Sequence, residues 1–182
     1  MEITTSLVTS LISSQFPEWA NLPIKPVEPG GHDNRTFRLG DDMLVRLPSG
    51  TDYAAQVQKE QAWLPKLAPH LSIEIPAPIA MGKPLEDYPY NWSIYKWIEG
   101  ESANNLSFDE TQLQQIALHL AGFINELHKI DTFGAPPSGL HNYYRGNSPA
   151  VYDADTRKYI KELSGVIDTR AATALWEKAL KS

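Results

Sequence analysis

Residues 2–16 open the chain with Ile3, Leu7, Leu11 and Ile12 near helical spacing, which predicts an amphipathic helix limited by Pro17 and Pro23. A turn-rich run, Val27 to Asn34, follows. Thr36-Phe37-Arg38-Leu39 and Met43-Leu44-Val45-Arg46-Leu47 then flank Gly40-Asp41-Asp42, a β-hairpin pattern ended by Pro48-Ser49-Gly50. A helix is predicted from about Asp52 to Leu64, with Thr51 or Asp52 able to cap it and Pro65 stopping or restarting it. Pro76, Pro78, Pro84 and Pro89 punctuate an extended region, and Trp92–Ile98 reads as a buried or half-buried strand. After a polar connector at 101–108 the character changes. Ser107-Phe108-Asp109-Glu110 has capping-box spacing. It precedes Leu113, Ile116, Leu120, Ile124 and Leu127, a stripe stepping by three and four. Residues 131–149 read as loop, and two further helices are expected at about 151–163 and 169–181.

Strands segregated from a later run of helices predict an α+β chain, or two lobes, with a natural boundary near residue 100. The 182 residues are 42% hydrophobic and 21% charged, enough apolar material for a core. The net charge of −6 argues against a broad nucleic-acid surface. No apolar run approaches the length of a membrane-spanning helix, and Met1-Glu2-Ile3 opens no secretory signal, so a cytoplasmic location is expected. Zero cysteines exclude disulfides, thiol nucleophiles and Cys-zinc sites. Histidines 32, 70, 119, 128 and 141 never fall at i, i+3 or i, i+4, which argues against a zinc site. Trp63, Trp92, Trp97 and Trp176 suit packing better than a ligand cage.

One helix carries a chemical anomaly. Stepping from Tyr53 through Val57 to Leu64 along its apolar stripe lands on Glu60. A lone buried carboxylate costs several kcal/mol or takes up a proton, so it calls for a partner. Arg46 is the one cation inside the strand Met43–Leu47. An ion pair from strand to helix is the simplest solution; the alternative is a solvated Glu60 at the stripe's edge. The order of a glycine-containing loop, a strand cation and then a helix carboxylate is that of a protein-kinase-type nucleotide lobe.

At these residues the sequence resembles the aminoglycoside phosphotransferase family, a branch of the kinase-like fold. The resemblance runs through Gly30-Gly31-His32-Asp33-Asn34-Arg35-Thr36-Phe37, Leu44-Val45-Arg46-Leu47-Pro48, Glu60 within Val57-Gln58-Lys59-Glu60-Gln61, Tyr95-Lys96-Trp97-Ile98-Glu99-Gly100, and Glu126-Leu127-His128. It implies an antiparallel sheet-plus-helix nucleotide lobe over residues 1–100 and the first helices of an incomplete helical lobe over 101–182. It also implies roles. The loop with Gly30, Gly31, His32 and Asn34 would cover the triphosphate of ATP or GTP. Arg46 would stand where the family commonly has a phosphate-binding lysine, with Glu60 orienting it. Lys96, Trp97 and Ile98 would form the hinge whose backbone meets the purine edge. The acceptor would be a hydroxyl of a small molecule.

The family's reaction needs a His-x-Asp loop, an Asn five residues after that Asp, and a further Asp that holds Mg²⁺. The sequence shows no such segment. His128-Lys129-Ile130-Asp131-Thr132-Phe133-Gly134 imitates it, but Pro136 sits where the Asn belongs. The expectation is therefore a truncated phosphotransferase without catalytic or metal residues, inactive alone, with Mg²⁺ required only in a full-length enzyme. A non-catalytic nucleotide- or protein-binding module is the alternative, and a plain α+β fold with a fortuitous pattern is the third reading. Gly82-Lys83 makes no Walker A loop, because Ala77 replaces its first glycine, and no G-x-S-x-G elbow occurs. A partly bare helical surface is expected after residue 111, with self-association through it.

Overall fold

The computed structural model describes residues 2–181, apart from the side chain of His141. The chain divides into two compact units, Met1–Asp131 and Thr132–Ser182.

The first unit is built on a five-stranded antiparallel sheet in the order β1-β2-β3-β5-β4, with β1 Ile24–Pro26, β2 Asn34–Leu39, β3 Met43–Pro48, β4 Pro78–Gly82 and β5 Trp92–Lys96. Helix α1 spans Thr5–Gln15, its first turn capped by the Thr4 hydroxyl. Helix α2 spans Thr51–Leu67. Strand alternation decides what each face does. Phe37, Leu39, Val45, Leu47, Trp92 and Ile94 point to one face and bury against Val8, Leu11 and Ile12 of α1. Each large apolar side chain so buried stabilises the fold by roughly 1.5–3 kcal/mol. Phe16 adds an edge-to-face contact with Trp92, ring centres 5.6 Å apart. The opposite face carries Thr36, Arg38, Leu44, Arg46, Ser93 and Tyr95, and α2 packs over its β3, β5 and β4 portion. Covered on both sides, β5 is buried from Trp92 to Tyr95.

The hairpin, the central strand and the long helices form where the pattern predicts them. Three details differ. Pro65 lies inside α2 and does not stop it: the ring forfeits one backbone donor, yet Ala68 N–H still closes on the Leu64 carbonyl and the helix ends there. Two edge strands emerge from proline-marked segments. Pro26 ends β1 and Pro78 begins β4, and a missing N–H is tolerated at a sheet edge. The capping box of α3, Glu110–Leu127, runs from Asp109 to Gln112, two residues later than the spacing from Ser107 implies. Gln112 N–H donates to Asp109 Oδ1 at 2.8 Å, and Asp109 N–H donates to Gln112 Oε1 at 2.9 Å.

The apolar stripe of α3 is bare: Leu113 is 53% exposed and Leu120 51%, so the helix with the clearest periodicity presents it to solvent. Glu126, near its end, accepts from both the backbone N–H and the hydroxyl of Ser72 at 2.8 Å, tying α3 to the segment after α2.

The second unit holds α4, Asp153–Glu162, and α5, Thr169–Ala179. Arg157 joins them, donating to Asp153 at 2.8 Å and to Glu177 at 2.7 Å, and Trp176 Nε1 donates to Asp153 Oδ1 at 2.7 Å. These bonds hold the Asp153 carboxyl below the usual carboxylate range, Trp176 being the largest cause. No helix among the described residues is long and apolar enough to cross a membrane.

Candidate functional site

The site is assembled on the sheet face that α1 does not cover. In β3, Val45 and Leu47 point into the core, so Arg46 between them must point to the opposite face. In α2, Val57 is buried, and Glu60, one turn further on, is carried toward the same face. The two side chains meet. Arg46 Nη1 lies 3.1 Å from Glu60 Oε2 and 3.3 Å from Oε1, with Arg46 34% and Glu60 16% exposed. The solvated alternative for Glu60 is therefore not what the fold adopts. Two further donors converge on the carboxylate, Gln56 Nε2 at 3.2 Å and the Tyr95 hydroxyl at 2.5 Å. Burial, then the hydrogen bond to Glu60, pushes the Tyr95 hydroxyl above its ordinary range, so it stays a donor. Beside this group, Gln61 Nε2 donates to the hydroxyl of buried Ser93 at 3.0 Å and to the Ala80 carbonyl at 3.1 Å, closing α2 onto the sheet.

The loop ahead of β2 joins this face through register. Thr36 lies directly opposite Arg46, and Asn34 lies two residues nearer the loop, opposite Pro48. The loop is tied down by its carbonyls. Arg35 donates to the Gly31 carbonyl, and the Ser49 hydroxyl donates to the carbonyls of His32 at 2.9 Å and Asp33 at 3.0 Å. Gly30 N–H is already engaged, donating to Glu28 Oε2 at 3.0 Å, so a carboxylate sits on one of the donors expected to face phosphate. His32 meets Tyr53 edge to face, ring centres 6.1 Å apart. An open hollow of about 690 Å³ beside the loop is lined by Ile3, Thr4, Val27, Gly30, Arg35 and Phe37, but by neither Arg46 nor Glu60.

The end of β5 and the residue after it are held by backbone bonds to both neighbouring strands' ends. Lys96 N–H donates to the Ala77 carbonyl at 2.9 Å, and Trp97 N–H to the Asp42 carbonyl at 2.7 Å. Of the three hinge residues named from sequence, Ile98 alone has an N–H that donates to no described residue. The Lys96 side chain pairs with Glu74 at 2.8 Å. The Arg38 guanidinium carbon lies over the Trp97 ring, 4.3 Å from its centre, and the side chain donates to Glu99 at 3.0 Å and to the Asp41 carbonyl at 2.6 Å. Sequence reasoning missed Gln56, Arg38 and Tyr95. Tyr95 carried a readable signal: a tyrosine inside an apolar strand needs an acceptor for its hydroxyl.

Against solved structures, the chain is similar to the GDP complex of wild-type aminoglycoside 2'-phosphotransferase-IIIa, with a TM-score of 0.70 and 19% identity, covering 99% of this chain and 60% of that one. It is similar to ADP-bound aminoglycoside phosphotransferase APH(2'')-Ib, with a TM-score of 0.57 and 19% identity, covering 96% of this chain and 57% of that one. It also resembles macrolide 2'-phosphotransferase type I, with a TM-score of 0.53 and 15% identity, covering 100% and 62%. The chain thus spans about 60% of the length of these proteins. The fold is kinase-like: a five-stranded antiparallel sheet with helices, followed by the first helices of a helical lobe. The profile of the Phosphotransferase enzyme family, APH, matches residues 24–182, and the chain belongs to that family. No sequence relative of curated function matches it.

Proposed function

We propose that the Met1–Asp131 unit is the nucleotide-holding part of a phosphotransferase that uses ATP or GTP and delivers phosphate to a hydroxyl of a small molecule. The Arg46–Glu60 pair carries this reading. A guanidinium still about one-third exposed beside α2, with one edge anchored by a carboxylate, keeps further N–H donors for phosphate oxygens. The loop with Gly31, His32 and Asn34 covers the phosphates; Gly30, whose N–H holds Glu28, gives the chain its freedom to turn there. At the purine edge the Ile98 N–H is the donor, since those of Lys96 and Trp97 are engaged within the sheet. Support comes from family membership and from structural neighbours captured with GDP and ADP.

Among the described residues no cluster of three or more His, Asp or Glu side chains suits a metal ion, and no step is routed through Mg²⁺. The sequence also holds no His-x-Asp loop with its downstream Asn and Asp. On this reading the unit binds the nucleotide. Calorimetric titration of the chain with ATP and GTP tests this. Binding is expected, with Arg46→Ala weakening it about 10- to 100-fold, the loss of one charge-assisted contact. Failure of both nucleotides to bind at millimolar concentration overturns the proposal.

A further inference from the structure

Tyr95 closes the buried run of β5 and is followed directly by Lys96–Ile98. It is 1% exposed, and its hydroxyl donates to Glu60 Oε2 at 2.5 Å, the same oxygen that Arg46 Nη1 approaches at 3.1 Å. The three donors on this carboxylate are not equivalent. Arg46 is the group to be held and cannot also be its own anchor. Gln56 lies one turn away on the helix that carries Glu60, so it cannot fix the carboxylate relative to the sheet. Tyr95 stands on a strand paired on both sides, with Leu44 across one edge and Pro78 across the other.

Resting on the nucleotide reading above, we infer that Tyr95 is a positioning residue: its hydroxyl pins the Glu60 carboxylate to β5 and thereby sets where the Arg46 guanidinium points. The residue stands immediately before the backbone assigned to the purine. One side chain thus links the base end of the nucleotide to its phosphate end. The hydroxyl's raised pKa is consistent with this, since it donates throughout the neutral range.

Tyr95→Phe keeps the ring and removes the one oxygen. The measurement is the gain in affinity from adenosine to ATP, and from guanosine to GTP, in the wild-type chain and the variant. Nucleoside affinity should be unchanged, while the gain from the phosphates shrinks about fivefold, the size of one lost hydrogen bond within a network. In an Arg46→Met background Tyr95→Phe should have no further effect on that gain. An unchanged phosphate gain in Tyr95→Phe overturns the inference and leaves the nucleotide reading standing. So does an equal loss for nucleoside and triphosphate, which is the signature of a merely structural residue. A wild-type chain that gains nothing from phosphates overturns both. Should Tyr95→Phe fail to fold, Tyr95→Met is read in the same way: a shrunken phosphate gain with nucleoside affinity kept supports the inference, and an undiminished gain refutes it.

Discussion

Removing the Glu60 carboxylate should cost more stability than removing the cation it holds. In Glu60→Ala two losses add. The ion pair to Arg46 is partly exposed, at 34% and 16%, and is worth about 1 kcal/mol. The Tyr95 hydroxyl is left buried without its acceptor, which costs about 1–3 kcal/mol. Alanine's better helix propensity offsets a few tenths of a kcal/mol. The expected destabilisation is therefore about 2–3 kcal/mol, or a fall in Tm of about 4–12 °C for a chain of this size. Arg46→Ala should cost only about 1 kcal/mol, because Glu60 keeps Tyr95 and Gln56 as donors. Urea unfolding followed by tryptophan fluorescence and far-ultraviolet circular dichroism gives the values. The telling comparison is Glu60→Ala/Tyr95→Phe: deleting the orphaned hydroxyl should restore about 1–2 kcal/mol relative to Glu60→Ala alone. A single mutant within 0.5 kcal/mol of wild type, on the order of an ordinary surface change, refutes the reasoning, as does a double mutant that recovers nothing.

Two other perturbations probe the frame around the site. A Cβ built on Gly82 would lie 1.9 Å from Trp92 Cε2, and Trp92 is fully buried, so Gly82→Ala should destabilise by about 3 kcal/mol, the upper end for overpacking, read as a lowered urea midpoint; an unchanged midpoint would show that the indole can move. The Ser72 backbone N–H, then its hydroxyl, hold the Glu126 carboxyl below the usual carboxylate range, so the folded chain binds that proton more weakly than the unfolded one. Its contribution is complete above the ordinary carboxylate pKa and is lost as pH falls through the folded-state value; acid-unfolding profiles of wild type and Glu126→Gln should therefore converge toward low pH, and parallel profiles would contradict it.

What the sequence made legible follows from range. The hairpin was readable because Phe37 and Leu39 on one strand, Val45 and Leu47 on the other, alternate around a Gly-Asp-Asp turn. The Arg46–Glu60 contact was readable because each residue breaks the apolar pattern of its own element, and two misfits on adjacent elements solve one another. Strands β1 and β4 were not, because three to five residues beginning or ending in proline carry too little periodicity, and their hydrogen bonds come from partners distant in sequence. Tyr95 on Glu60 joins residues 35 apart, a pairing no local pattern encodes. In α3 the stripe named the apolar side correctly, but periodicity tells which side is apolar, not whether anything covers it.

The β2–β3 hairpin makes its three-residue connection answerable for chemistry far along the strand. Gly40 adopts a φ of +60°, and a Cβ there would press on Leu22 at 3.3 Å. Sliding β3 by a single position would turn the guanidinium of Arg46 in among Val8 and Leu11 and put Val45 and Leu47 outside. A bend that touches no ligand thus chooses which side of the strand the charge occupies, and changes at Gly40 should be felt first as a misdirected arginine.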